Sequence, residues 1–175
     1  AAPYDHKGLE IIPEVAFHLR NNFQINVLFQ VTIPLCSSLW KRISKRAKDW
    51  AVDDLVVNVG PLKVVECVDY YNRASLVFLP TLLEVFSATF LEAMAMKVPI
   101  VTTNLYFSKE VCKDAAVYFT PNDAFDAAQK VHLIVSDNDL VMSCIKKGNT
   151  VIANYPKTDE KYKQIVQMFN VVVGK

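Results

Sequence analysis

Residues 76–103 read LVFLPTLLEVFSATFLEAMAMKVPIVTT and carry the clearest structural pattern in the chain. Short apolar runs at 76–79 and 99–102 flank a segment of helical length at about 89–97. Such runs, bounded by turn residues, are typical of buried strands in a parallel sheet. The stretch therefore predicts a strand, a loop, a helix and a second strand, which together form a βαβ unit.

Two carboxylates and three small residues lie within this unit. Glu84 is in the predicted loop and Glu92 in the first turns of the helix, with seven residues between them. Ser87, Ala88 and Thr89 stand where the helix begins, and small side chains there leave backbone N–H groups open to an anion such as phosphate. Carboxylates on either side of a phosphate pocket suit the hydroxyl groups of a nucleotide sugar.

The same residues also permit a purely structural interpretation. Thr89 and Glu92 have the T-x-x-E spacing of a capping box, in which Glu92 would accept hydrogen bonds from N–H groups at the helix start. Glu84 would then be an ordinary loop carboxylate. For an arbitrary sequence this structural interpretation is favoured, so the decision depends on the surrounding pattern.

Outward from this unit, the chain alternates strands and helices. Strands are predicted at 25–33, 55–59 and 115–119, and helices at 63–74, 124–136, 140–153 and 159–169, with a helix ending near 21 and a helical turn at 108–114. The 63–74 helix carries apolar residues at 64, 65, 68, 71 and 74. This order predicts a doubly wound, Rossmann-like α/β/α domain of three layers around a parallel sheet, with ligands at the carboxyl ends of the strands.

A helix with a basic face is predicted around residues 40–50. Trp40, Ile43, Ala47 and Trp50 recur at helical spacing, and the other faces carry five cations, Lys41, Arg42, Lys45, Arg46 and Lys48. Peripheral contact with an anionic membrane is one interpretation. A core-facing stripe with a solvated back is the favoured one.

Composition limits the class of protein. The chain has 175 residues, 52% of them hydrophobic, which indicates one globular domain. The net charge of +1 gives no reason to expect nucleic acid as a partner. No apolar run approaches the ~20 residues of a membrane span. Four scattered cysteines without a CxxC pair predict reduced thiols in a cytoplasmic protein: Cys36, Cys67, Cys112 and Cys144.

Several common sites are missing from the sequence. With four glycines it contains no G-x-G-x-x-G, P-loop or G-x-S-x-G motif. No His/Cys cluster has metal-ligand spacing. Asp53-Asp54 lacks the second half of a D-x-D metal motif, so a turn is predicted there.

The central stretch resembles the signature of the group 1 glycosyltransferases (family four), which are retaining enzymes with two Rossmann-like domains, the GT-B architecture. Their pattern is E-G-F-G-L-P-x-L-E-A-M-A followed by P-V-V, and this chain has E-V-F-S-A-T-F-L-E-A-M-A followed by P-I-V. Val85 and Ser87 replace the glycines and Thr89 the proline. The Ser-Ala-Thr sequence at 87–89 is similar to the variant of this pattern in family members of the bacterial polysaccharide type. The resemblance extends over roughly residues 57–123 and favours the site interpretation.

The resemblance implies roles for particular residues. Lys7-Gly8 matches a Lys-Gly loop whose cation neutralises the donor diphosphate, and the family's nearby Arg has no counterpart here. Glu84 and Lys7 are thereby the expected catalytic residues, and Glu92 is expected to accept hydrogen bonds from ribose hydroxyls. The remaining donor-binding residues implied are those at the helix start and in a glycine-led base pocket: Phe86, Ser87, Ala88, Thr89, Gly60, Pro61 and Leu62.

The resemblance also implies a function. Residues 1–175 are expected to form the C-terminal, nucleotide-sugar half of a retaining, metal-independent hexosyltransferase, without its N-terminal acceptor domain. The chain opens at Ala1-Ala2-Pro3 without Met, as expected of a processed or excised piece. The donor would be a UDP- or GDP-linked sugar, with no cofactor, and the acceptor a glycan or lipid-linked glycan at the cytoplasmic face of a membrane. Such a half should fold alone but lack activity.

Two other classes stay open. One is a nucleotide-sugar epimerase or a phosphorylase of the same architecture, although no setting for the lysine-bound pyridoxal phosphate of a phosphorylase is evident. The other is a non-catalytic domain that kept the fold as a regulatory or assembly partner.

Overall fold

The computed structural model describes residues 4–85 and 87–155. Helices and strands alternate up to a final pair of helices, with short 3₁₀ turns at Asp5–Lys7, Leu9–Ile11 and Lys113–Ala115. The elements are α1 (Ile12–Asn22), β1 (Phe29–Val31), α2 (Ser38–Asp49), β2 (Val56–Asn58), α3 (Val64–Arg73), β3 (Val77–Leu79), α4 (Ala88–Ala95), β4 (Ile100–Thr103), α5 (Tyr106–Cys112), β5 (Ala116–Phe119), α6 (Ala124–Ser136) and α7 (Asn138–Ala153). The helix predicted at 159–169 lies outside the described residues.

All strand pairings in the described chain are parallel, as predicted. Strand β1 pairs with β2, and β4 lies between β3 and β5. The hydrogen bonds thus divide the strands into two groups. The rings of Phe29 on β1 and Phe78 on β3 meet edge to face, with centroids 5.7 Å apart, so the two groups share side-chain packing.

The three-layer arrangement follows from the alternation of side chains along the strands. Val101 and Phe119 belong to a first core cluster with α1, α2 and α6, whereas Ile100 and Ala116 belong to a second with α4. Neighbouring residues of a strand point to opposite faces of the sheet. The strands β3 to β5 therefore have helices on both faces, which confirms the predicted α/β/α class.

Two predicted strands are shorter than expected. The stretch 25–33 pairs only at Phe29–Val31, and 55–59 only at Val56–Asn58. These strands pair with each other over three positions, Phe29 with Val56 through Val31 with Asn58. The residues that flank β2 still bond to β1: the Phe29 N–H donates to the Leu55 carbonyl oxygen at 2.8 Å, and the Val59 N–H donates to the Val31 carbonyl oxygen at 2.9 Å.

The helix α3 differs most from what the sequence suggests. None of its residues is buried, and Val64 and Val65 are 87% and 80% exposed. Its contact with the core comes through Tyr71, whose ring packs against the second core cluster. Most of the apolar stripe of this helix is thus exposed rather than packed against the core.

The basic helix α2 buries Ile43 and Ala47 in the first core cluster, as the favoured interpretation predicts. The basic face of α2 is not simply solvated as expected, because Arg42 forms ion pairs with Asp5 and Glu10. Arg46 also pairs, with a carboxylate on α1, that of Glu14. Membrane contact through the remaining lysines stays a prediction. Among the described residues, no helix combines the length and apolarity that crossing a membrane requires.

Candidate functional site

Hydroxyl groups hold the loop that follows β3 against the end of β4. Thr103 Oγ1 donates to the carbonyl oxygen of Thr81 at 2.6 Å, and Ser108 Oγ donates to the carbonyl oxygen of Thr103 at 2.5 Å. Thr102 Oγ1 donates to the carbonyl oxygen of Leu79 at 2.8 Å. Because Thr81, Thr102, Thr103 and Ser108 are buried, these bonds fix the loop that carries Glu84.

The N-terminal turn packs against the same loop. The N–H of Leu82 donates to the carbonyl oxygen of His6 at 2.7 Å. Gly8 has φ +64°, and a Cβ built there would lie 2.1 Å from the carbonyl oxygen of Pro80. Only glycine permits both this backbone conformation and this close approach. The contact places Lys7 beside the carboxyl end of β3.

Lys7 and Glu84 form an ion pair at this point. Their side chains are 22% and 17% exposed, so the pair is partly shielded from water but still reachable. An ammonium group has three N–H donors, and Glu84 occupies one of them in this pair. Lys7 can therefore hold Glu84 and still offer donors to an anion.

The N-cap of helix α4 lies two residues before Thr89, the residue that the proposed capping box would place at the N-cap. Its N-cap is Ser87, which makes no side-chain capping bond, and Thr89 lies within the first turn. The capping-box interpretation of Thr89 and Glu92 is therefore wrong. Ala88 is exposed at the helix start, and the backbone N–H groups at a helix start attract anions. Phe86 lies outside the described residues.

Glu92 makes a contact that the sequence did not predict. Its Oε2 accepts a hydrogen bond of 2.8 Å from the hydroxyl group of Tyr71. Burial, and then this bond with Glu92, raise the pKa of Tyr71 above its ordinary value, so the phenol stays protonated and donates. In the sequence, Tyr71 is evident only as a member of the apolar stripe of the 63–74 helix. That stripe gives no indication that the Tyr71 hydroxyl group bonds to Glu92.

The Gly60 turn lies at the carboxyl end of β2. Gly60 is buried with φ +79°, and its N–H donates to Asn58 Oδ1 at 3.0 Å. A Cβ on Gly60 would meet nothing within 4 Å, so space is open beside the backbone. Pro61 is exposed and Leu62 half-buried. In the described chain, no hydrogen bond or ion pair joins this turn to Lys7, Glu84 or Glu92.

Asn58 also leaves one polar group unsatisfied. Its Nδ2 is buried without a hydrogen-bond partner among the described residues. Two shallow grooves lie elsewhere, along α2 and along α7, and none of the predicted site residues lines them. Within 4–85 and 87–155, no group of three His, Cys, Asp or Glu side chains has an arrangement that could hold a metal ion.

All four cysteines are free thiols. Cys112 and Cys144 are buried, and burial raises the pKa of Cys112 to about 12 and that of Cys144 above its ordinary value. A thiol with a raised pKa is a poor nucleophile at neutral pH. These two cysteines therefore belong to the core rather than to the candidate site.

The fold and site together define a Rossmann-like domain with an ion pair, Lys7–Glu84, at the carboxyl end of one of its parallel strands. The sequence matches the family described as "Glycosyl transferases group 1" over residues 6–151. The chain belongs to this family. The matched range includes Lys7, Glu84, Glu92 and the Gly60 turn. Comparison with curated protein sequences gave no match.

Solved structures share the fold at low sequence identity. Sucrose-phosphate synthase from Thermosynechococcus elongatus superposes with a TM-score of 0.79 at 19% identity, covering 98% of this chain and 44% of that chain. HepE from Anabaena, solved in complex with UDP and glucose, gives a TM-score of 0.80 at 13% identity, covering 96% of this chain and 46% of that chain. The chain thus spans less than half the length of these two proteins.

A separately solved domain is matched over more of its length. The C-terminal domain of a glycosyl transferase group 1 family protein, LpcC, from Francisella tularensis gives a TM-score of 0.74 at 20% identity. The match covers 90% of this chain and 83% of that chain. At these identities the likeness shows the fold.

Proposed function

We propose that this chain is the donor-binding, C-terminal domain of a retaining glycosyltransferase, which binds a UDP- or GDP-linked hexose. The observation that carries the proposal is the Lys7–Glu84 ion pair at the carboxyl end of β3, in a chain of the group 1 family. In open α/β sheets, ligands bind at the carboxyl ends of the strands. The complex of HepE with UDP and glucose supports the class of donor.

In this proposal, different residues bind different parts of the donor. The Lys7 ammonium and the α4 N-terminus at Ser87 neutralise the diphosphate, while Glu84 lies at the sugar and its phosphate linkage. Glu92 accepts hydrogen bonds from the ribose, and the Gly60 turn, with Pro61 and Leu62, borders the base.

Transfer proceeds on one face of the sugar. The bond from the anomeric carbon to the phosphate oxygen breaks, the acceptor oxygen bonds to the same carbon on the same face, and the departing phosphate oxygen takes the acceptor proton. Negative charge grows on the phosphate as the bond breaks, so Lys7 and the helix N-terminus stabilise the transition state more than the bound donor. This scheme needs no metal ion.

The acceptor, a glycan or lipid-linked glycan of polysaccharide assembly, is bound by a further domain of the parent enzyme, so this chain alone binds donor without turnover. The reaction belongs to the cytoplasm, in keeping with four free thiols. A transfer assay with several donors and acceptors checks the first statement, since transfer by this chain alone would overturn it.

Calorimetric titration with UDP, GDP and their sugar conjugates tests the proposal. We expect one nucleotide to bind, and Glu92→Ala to weaken that binding. Failure of every nucleotide to bind the wild-type chain would contradict the proposal and favour a non-catalytic domain. An epimerase-like enzyme would instead interconvert nucleotide sugars without an acceptor.

A further inference from the structure

Tyr71, on α3, packs against the second core cluster. The helix buries none of its residues, and the Tyr71 ring packs against the cluster that contains Phe90 and Met94 of α4. This aromatic side chain therefore joins α3 to the cluster that α4 helps to form.

The Tyr71 hydroxyl group reaches beyond that packing contact to Glu92. The bond between Tyr71 Oη and Glu92 Oε2 is 2.8 Å long, while Glu92 itself lies exposed on α4. An exposed glutamate without a partner samples several rotamers. The bond from Tyr71 selects one of them before any ligand arrives, and this lowers the entropy lost on binding. A carboxylate has about four lone-pair sites, so most of its acceptor capacity stays available.

The same helix connects two parts of the candidate site. The turn of Gly60, Pro61 and Leu62 leads directly into α3 at Val64. Tyr71 lies seven residues further on, about 10 Å along the helix axis. One rigid element thus carries the proposed base turn at its N-terminus and the partner of the proposed ribose ligand two turns later.

We propose that Tyr71 is a positioning residue, whose hydroxyl group holds the Glu92 carboxylate in the orientation that accepts the ribose hydroxyls of the nucleotide. This assignment rests on the proposed function, in which Glu92 binds the ribose. Tyr71 does not touch the donor, and its effect on binding passes through Glu92.

Calorimetry with UDP and GDP on matched variants tests the assignment. Tyr71→Phe keeps the ring and removes the hydroxyl group. We expect it to lower the affinity for the nucleotide that binds by about 3- to 10-fold, which corresponds to the free energy of one net hydrogen bond. Tyr70→Phe, the same change at the neighbouring residue, is the control and should leave the affinity unchanged. In the Glu92→Ala background, Tyr71→Phe should cause no further loss.

The outcomes separate the two claims. Wild-type affinity in Tyr71→Phe, with binding weakened in Glu92→Ala, would overturn the assignment and leave the proposed function standing. An equal loss from Tyr71→Phe in the wild-type and Glu92→Ala backgrounds would show a general structural role and also overturn it. No nucleotide binding by the wild-type chain would overturn the proposed function and this assignment together.

Discussion

Lys7 and Glu84 are ion-paired although 77 positions separate them in the sequence. The pairing depends on the close approach of Gly8 to Pro80 and on the bond between Leu82 and His6. Two loops at the sheet edge thus act as one unit, with a cation and a carboxylate in contact. A donor diphosphate entering this edge would meet a lysine that is already held in place.

Replacing Lys7 by Met should affect both stability and binding. The change leaves the Glu84 carboxylate, 17% exposed, without its cation, and we expect about 1 to 3 kcal/mol lower free energy of unfolding. Affinity for the nucleoside diphosphate should fall by roughly 10-fold or more, whereas the uncharged nucleoside should bind as before. Urea denaturation and calorimetry measure the two effects.

Two comparisons control this prediction. Lys48→Met removes an exposed lysine of α2 and should change neither quantity. Adding Glu84→Gln to Lys7→Met should restore part of the lost stability, because the unpaired carboxylate is then gone. Equal behaviour of Lys7→Met and Lys48→Met would contradict the importance of the pair.

Alanine substitutions at two glycines should differ in their cost. Gly8→Ala places a Cβ 2.1 Å from the Pro80 carbonyl oxygen in a left-handed backbone, so a loss of about 3 kcal/mol or more is expected. Gly60→Ala also strains a backbone of positive φ, +79°, but has open space around the Cβ, so its loss should be only about 1 to 2 kcal/mol. Urea denaturation of both variants measures the order, and a larger loss at Gly60 would refute the packing of Gly8 on Pro80.

Asp126 should make stability depend on pH. Burial acts to raise the pKa of its carboxyl group, but hydrogen bonds from Thr120 and the nearby Lys130 outweigh burial and lower it. A lowered folded-state pKa stabilises the fold above the unfolded pKa of about 3.9, and this stability is lost as the pH falls through the folded value. Asp126→Ala should therefore cost about 1 kcal/mol or more at pH 7 and progressively less in acid. The same loss at all pH values in urea denaturation would be inconsistent with this account.

Nucleotide binding should not require a divalent metal ion. In the proposed function, the Lys7 ammonium and the α4 N-terminus neutralise the diphosphate without a cation between them. Titrations in EDTA and in magnesium chloride should give the same affinity. Binding that appears only with magnesium would show that the protein part of the site is insufficient.

Local signals in the sequence predicted much of the fold. The helix at 124–136 was predicted with its observed bounds, because Asp123 is a residue type that favours a helix start. In the structure, Asp123 caps this helix by accepting a hydrogen bond from the Asp126 N–H at 2.9 Å. The unit around Glu84 and Glu92 was also predicted, since apolar strands and helical spacing are local features.

Contacts between distant segments could not be predicted in this way. The bond of Tyr71 to Glu92 joins two helices across 21 positions, and neither residue type requires the other. The exposure of Val64 and Val65 likewise depends on what packs beside α3, which its own periodicity does not reveal. Predicting such features requires the tertiary arrangement.

The most direct test of the central claim is a heteronuclear NMR titration of this chain with UDP and GDP, following every backbone amide. We expect shifts grouped at Lys7-Gly8, in the Gly60 turn and between Glu84 and Glu92. The amides of α2 and the first turns of α7 should stay unchanged. Shifts centred on α2 or α7, or no shifts with either nucleotide, would contradict the claim that this sheet edge binds a nucleotide sugar.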